Sequence, residues 1–367
     1  MTTEESDFKD KLTAVRGILE KLGRDAVVLR EQSNFSWLTG GRGQISLASE
    51  KACCTTVISR NSAAVLTTNI EKERLETEEL ADCSGLTIEA YPWNRPELGD
   101  ARLRDMLESL KCISEQDIEP KLLGLRTMMN GREIERYRQL CRDTAEAAED
   151  VCRRASMGVS ELGLAGELSE GLWRRGIEPV TVLIAFDERA ERFRHPLPTA
   201  KRLDGHAFIG VCGRKRGLIA SVSRMVSVTG DPAKLEDLRR RYRICAETDA
   251  EFARLTKPGA ALNEVFEGGI ACYARGGLAG EWKNHHQGGL TGYRAREIKA
   301  SHESRHIIRE GEVYAWNPTV PGCGCEDTRL VTADGTANMS HTGKFRYLEL
   351  GTDRRHQLIP DIWINRR

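Results

Sequence analysis

Three of the eight histidines stand in contexts where an imidazole could move a proton. His195 precedes Pro196 in a polar loop, and His285-His286 follow Trp282-Lys283-Asn284 and precede Gln287 and the paired Gly288 and Gly289. Imidazole titrates near neutrality and suits general acid–base work, and paired glycines let a backbone come close to a ligand. Adjacent side chains on an extended strand point opposite ways, so one of the pair is expected to face a site, and His285 is the expected one. Taken alone, a histidine before proline in such a loop reads as a solvent-exposed side chain. Guanidinium groups grip carboxylates bidentately, which draws attention to the arginines near these histidines. Of the eleven cysteines, Cys323-x-Cys325 lacks the second pair or the histidine of a zinc site. Cys212 and Cys325 adjoin apolar strand residues, where thiols are usually inert.

These groups need elements to hold them, and the central one is Gly205 to Val226. Phe208, Ile209 and Val211 form one apolar run and Leu218 to Val226 another, with Gly213 and Gly217 flanking Arg214-Lys215-Arg216. That pattern predicts a hairpin, with Arg214 and Arg216 solvated at its basic tip. Amphipathic spacing predicts helices over 9–22, closed by Gly23, over 132–154, from a Ser160 cap through Trp173, and over 235–255 and 262–273. Strands are expected at 25–29, 52–58, 63–66, 181–186, 313–316 and 329–331, with 34–38 and a Thr39-Gly40-Gly41 turn following the first. Residues 113–126 read as a linker region. The result is an α/β domain over 1–125 and a larger α+β domain over 126–367.

The totals exclude several classes of function. Lys+Arg and Asp+Glu both number 55, giving zero formal charge and no field that favours nucleic acid or a membrane surface. No apolar run approaches the ~18 residues of a membrane span. The acidic opening MTTEESDFKDKL has no signal-peptide or transit character, and eleven cysteines without an export signal read as reduced thiols. The expectation is a cytoplasmic protein that binds neither nucleic acid nor membrane.

In order, the landmarks NFSWLTGG (34–41), GREIERYR (131–138), His195-Pro196, the 205–226 hairpin, HHQGGLTGYRARE (285–297), GEVYAWNP (311–318) and CEDTRLVT (325–332) resemble the creatinase, aminopeptidase P and prolidase family. The resemblance covers nearly the whole chain. It implies a pita-bread domain preceded by a smaller creatinase-type N-terminal domain. Metallopeptidases of this family hold two divalent ions with two Asp, one His and two Glu. The first Asp falls on Gly210 and the second on Ser221, while Asn317 replaces one Glu and Glu326 retains the other. Read without a gap, Gly292-Tyr293-x-x-Arg296-Glu297 puts Gly289 at the histidine ligand; a gap would put His286 there instead, and the gapless reading is preferred. A glycine, a serine and an asparagine cannot neutralise two dications, so no metal and no cofactor are expected.

The resemblance therefore implies a metal-independent, creatinase-like enzyme that cleaves, by hydrolysis, a C–N bond in a small polar amino, guanidino or N-acyl acid. His195 would be the general acid/base, His285 and Arg296 would hold the developing oxyanion, and Glu326 would orient a histidine or bind a substrate cation. His286, Asn317, Trp316, Ser221 and Tyr293 would bind substrate. Arg42 or Gln44, in the 40–51 loop, would reach the partner's site in a homodimer. A lyase, decarboxylase or cyclase on the same scaffold, and a binding protein without activity, are the alternatives.

Overall fold

The computed structural model describes residues 3–351 and 356–365. The chain divides into two compact units, Met1–Met128 with Arg216–Leu218, and Met129–Lys215 with Ile219–Arg367.

The first unit begins with the helix Thr3–Lys21, which buries Phe8, Leu12, Val15 and Leu19 at helical spacing. Its sheet combines β1 (Ala26–Glu31), β2 (Lys51–Ser59), β3 (Ala63–Thr68), β4 (Thr87–Tyr91) and β5 (Cys112–Ser114) in the order β4-β3-β2-β1-β5. The stretch expected as a linker is folded: β5 runs parallel to β1, and the helix Glu119–Thr127 follows. Arg126, fully buried, donates to Asn34 Oδ1 at 2.6 Å and to Glu119 Oε1 at 2.7 Å. Asn34 and its neighbours form the helix Gln32–Thr39, ended by Gly40 at φ 73°. The bonds that tie this stretch into the unit span more than 80 residues of chain, which a local reading of the sequence does not reveal.

The second unit opens with the helix Gly131–Arg154. Asn130 starts it, its side chain accepting from the Arg132 and Glu133 amides while Glu133 returns a bond to the Asn130 amide. Ser160 caps the helix Glu161–Trp173 by accepting from the Gly163 amide at 3.0 Å. The predicted hairpin is present as β7 (His206–Lys215) and β8 (Leu218–Ser227), beside β6 (Glu178–Phe186). Arg216 and Gly217, at φ 49° and 82°, make the two-residue turn that matches strand twist. Arg214, expected in solvent, is buried and donates to Glu178 Oε2 at 2.6 Å, because β6 brings a carboxylate across from it.

A second sheet has β9 (Gly288–Thr291), β10 (Ile298–Lys299), β11 (Val313–Trp316), β14 (Asp327–Thr332) and β15 (Gly335–Asn338) in the order β10-β9-β11-β14-β15, with the short pair β12 (Thr319–Val320) and β13 (Cys323–Gly324) alongside. Phe252, Leu262, Val265 and Phe266, from the helices Pro232–Leu255 and Leu262–Arg275, pack against Leu290, Tyr314, Trp316 and Val331 of this sheet. Each such side chain, fully buried, contributes about 1.5–3 kcal/mol. β8 meets the second sheet where the Ser223 amide donates to the Glu326 carbonyl at 2.9 Å. Thr328 Oγ1 also clasps Ser221, donating to its carbonyl and accepting from its amide, both at 2.9 Å. Arg224, wholly buried, donates to Asp327 Oδ1 at 2.9 Å beside Glu149. These bonds hold Ser221 of the hairpin next to Glu326 of the other sheet. Among the described residues no helix is long and apolar enough to cross a membrane.

Candidate active site

His195 lies in the loop after the short helix Glu188–Arg192, exposed on one side. Its Nε2 is 3.1 Å from Nε2 of His285, and the rings meet edge to face with centroids 4.9 Å apart. His285 follows the 3₁₀ turn Glu281–Asn284, so it and His286 precede β9 rather than sitting on it. Strand alternation does not govern that junction. Both rings turn the same way, correcting the expectation that one faces away: His286 has centroids 4.7 Å from His285 and 5.9 Å from His195.

Two hollows adjoin these rings. A cavity of about 170 Å³ is lined by residues including Gly210, Arg296, Asn317 and Glu326, and a wider one of about 420 Å³ by Phe266, Trp282 and Ala300. Arg194, His195, His285 and His286 line both. Thr319 Oγ1 stands 3.2 Å from His285 Nδ1, and Gln287 Nε2 donates to the His285 carbonyl at 2.7 Å. Gln287 is itself held by Tyr273, whose hydroxyl donates to its Oε1 at 2.8 Å. Burial first, then the neighbouring His286 and His195, pushes His285 down to about 3. Burial and then Arg296 take His286 to about 4. Both shifts favour the neutral imidazole, the form that carries a nitrogen lone pair for proton transfer or coordination.

The far side of the smaller cavity holds an ion pair. Arg296 donates through one nitrogen to Glu326 and through another to Ser221 Oγ at 3.3 Å, with both charged side chains largely buried. The guanidinium thus spans two of the positions that the resemblance assigns to metal ligands. Glu326 pairs with Arg296 rather than with a histidine, and Arg296 brings a partner of its own to the cavity instead of waiting for a substrate carboxylate. Burial outweighs Arg296 and raises the Glu326 carboxyl above its usual range. Around this pair Arg296 Nε, Asn317 Oδ1, His286 Nδ1 and Ser223 Oγ are buried with no hydrogen-bond partner among the described residues. Such atoms call for a complementary ligand or water.

Gly210 leaves no open ligand position. A Cβ there would lie 3.0 Å from the Phe208 ring, and one at Gly324 would lie 2.6 Å from the same ring's other edge. An aromatic wall stands where the resemblance puts the first aspartate. The sequence reading missed Phe208, although it shares a strand face with Gly210 two residues on. Thr319 and Arg194 were also missed, having no motif to mark them; Arg194 reaches the cavity while paired with Glu281.

Gly289 has no room for a side chain. At φ 144°, its Cβ would lie 2.1 Å from the Ile298 carbonyl oxygen and 2.9 Å from the Ala300 amide. Gly289→Ala should lower stability by about 1–3 kcal/mol or more, seen as a drop in Tm, and an unchanged Tm would contradict this backbone.

Two expected substrate contacts lie elsewhere. Trp316 is fully buried, stacked on Phe252 with centroids 4.2 Å apart, and its indole N–H donates to Thr256 Oγ1 at 3.0 Å. Tyr293 is buried and donates to Glu133 Oε1 at 2.7 Å. Both are core residues: Trp316, at the end of β11, and Tyr293, in the bend after β9, turn inward. Arg42 is bound to Glu79 at 2.8 Å, and Gln44 is buried, accepting from Gln32 Nε2 at 2.9 Å. Gln44 is thus not a reaching side chain, and Arg42 is engaged within its own unit. His195, His285, His286, Arg296, Asn317 and Glu326 all line the smaller cavity, with Ser221 bonded to Arg296 behind it. Among the described residues, one group of three or more His, Cys, Asp or Glu could hold an ion: His195, His285 and His286, whose ligand atoms lie within 4.8 Å of one another.

Comparison with known proteins agrees with this architecture. The chain is 22% identical over 360 residues to the uncharacterized peptidase YqhT of Bacillus subtilis (strain 168), covering 91% of this chain and 98% of that one. It is similar in fold to the prolidase from Pyrococcus horikoshii OT3, at a TM-score of 0.75 and 19% identity, covering 91% and 98% of the two chains. The Xaa-Pro dipeptidase from Bacillus anthracis gives 0.72 at 16% identity, covering 98% and 100%. The profile of metallopeptidase family M24 matches residues 135–333, more than half of the sequence, so the chain belongs to that family, with its pita-bread fold.

Proposed function

We propose that this chain is a metal-independent hydrolase of a C–N bond in a small polar acid, such as an N-acyl, guanidino or prolyl amino acid. Family membership supports hydrolysis of peptide-type C–N bonds. The observation that carries the finer reading is the guanidinium of Arg296 bonded to both Ser221 and Glu326, beside the His195–His285 contact in one cavity. The dinuclear centre of the family does not fit this donor set. The inherited positions offer one carboxylate, a hydroxyl and an amide, and a fixed organic cation stands between two of them. Neutral oxygens compete poorly with water for hard cations, and an arginine beside them adds repulsion.

In this mechanism His195 accepts a proton from water as its oxygen attacks the carbonyl or amidino carbon. His195 then delivers that proton to the leaving nitrogen as the C–N bond breaks. His285, neutral and set by Thr319, shares a proton with His195 and fixes its ring. When the carbon attacked is a carbonyl, the unpaired Arg296 Nε–H meets its developing negative oxygen, and the unpaired Asn317 Oδ1 accepts from a substrate N–H. Glu326 keeps the guanidinium in place. A screen of prolyl dipeptides, N-acyl acids and guanidino acids, with products detected by mass on chelator-treated protein, tests this reading. Turnover by the wild type and not by His195→Ala supports it; equal turnover by both rejects the assigned base.

A further inference from the structure

We propose that His195, His285 and His286 form a three-nitrogen site for one divalent transition-metal ion of the zinc class, and that filling it inhibits the enzyme. The inhibition rests on the proton-transfer role given above to His195 and His285; the binding does not. Each ring offers a nitrogen, and all three lie within 4.8 Å of one another. In a tetrahedral zinc site with Zn–N near 2.0–2.1 Å, ligand nitrogens stand roughly 3.3 Å apart. The two Nε2 atoms of His195 and His285, at 3.1 Å, are already at that spacing, and rotation of the His286 ring closes the remainder.

The surroundings suit a soft or borderline ion. The Nδ1 of His285 meets Thr319 Oγ1, the kind of outer bond that orients a ligating imidazole. His286 Nδ1 is buried with no partner among the described residues, so one ring nitrogen has an unmet demand. Two neighbouring arginines are each paired with a carboxylate, Arg194 with Glu281 and Arg296 with Glu326; Arg296, and after it Lys299, are the cations near His286 that weaken binding. An all-imidazole set selects zinc, cobalt, nickel or copper over magnesium, calcium and manganese. It is also distinct from the carboxylate-bridged pair of ions implied by the family resemblance, because none of the three residues is a carboxylate. A bound ion takes the lone pairs through which His195 and His285 exchange a proton, and that blocks turnover.

The test is a cobalt titration of chelator-treated full-length protein, followed by visible absorption, with bound metal counted after gel filtration and zinc used as competitor. The expected result is one ion per chain with a tetrahedral nitrogen-type spectrum, displaced by zinc. Affinity should fall by about tenfold in Thr319→Val and by more in His286→Ala and His286→Gln, with Tm measured for each. Binding unchanged in both His286 variants, or a spectrum dominated by thiolate-to-cobalt charge transfer, would overturn the site. Added zinc should suppress turnover and a chelator should restore it. Stimulation by zinc would overturn the inhibitory role and the metal-free reading of the reaction while leaving the site itself intact.

Discussion

His195→Ala and His285→Ala should each lower turnover by about 10²–10⁴-fold, the range expected when a positioned acid or base is removed. The two effects should not add, because the residues work as one proton-sharing pair across 3.1 Å. The His195→Ala/His285→Ala double variant should therefore be little worse than the poorer single one. Binding should survive in His195→Ala, since its ring stands at the exposed edge while Arg296 and Asn317 line the interior. Steady-state kinetics on the best substrate from the screen checks this as a fall in kcat with KM little changed. A large rise in KM with kcat preserved would make His195 a binding residue and not the base.

The second large effect is on stability. Arg296→Ala leaves Glu326 in the cavity wall without its cation, and removal of one partner of a buried pair costs about 3–5 kcal/mol. Thermal or urea unfolding should show it, and the Arg296→Met/Glu326→Gln double variant should recover much of the loss while staying inactive. The pH dependence has a fixed sign. Burial already raises the Glu326 carboxyl, and a carboxyl raised in the folded state costs stability as pH climbs through that value. Loss of Arg296 raises it further, so the deficit of Arg296→Ala should shrink as pH falls and Glu326 takes up a proton. A deficit independent of pH would mean that the loss comes from packing alone.

The long elements were legible in the sequence because their signals are local. Helical spacing located the helix Gly131–Arg154, Ser160 announced its own cap, and the paired apolar runs around Arg214–Gly217 gave the hairpin. What failed depends on which way a side chain turns relative to a distant partner. Arg214 looked solvated until β6 supplied Glu178. Trp316 and Tyr293 sit beside site residues in the chain but face the core. His285 and His286 were assigned opposite directions by a strand rule that does not apply ahead of β9. Arg296 was recognised as a cavity residue, yet its bond to Glu326 crosses 30 residues of chain and no spacing rule could supply it. Phe208 is one residue of an apolar strand run in the sequence, and only the crowding at Gly210 and Gly324 shows it as a cavity wall.

One structural economy links these points. The hairpin and the second sheet are pinned together by Ser223, Thr328 and Arg224. In the proposed reading, the charge that a metal would provide is supplied by a guanidinium fixed at Ser221 and Glu326. A cation already attached to the chain needs no external ligand to be present.

The central claim, that the C–N bond is cleaved without a resident metal, is tested most directly by metal content and turnover on one sample. The protein is treated with chelator, desalted, counted for bound metal and assayed on the substrate found in the screen. The expected result is substoichiometric metal and undiminished turnover, with no gain from added manganese or cobalt. Activity that disappears with the chelator and returns in proportion to two bound ions per chain would contradict it.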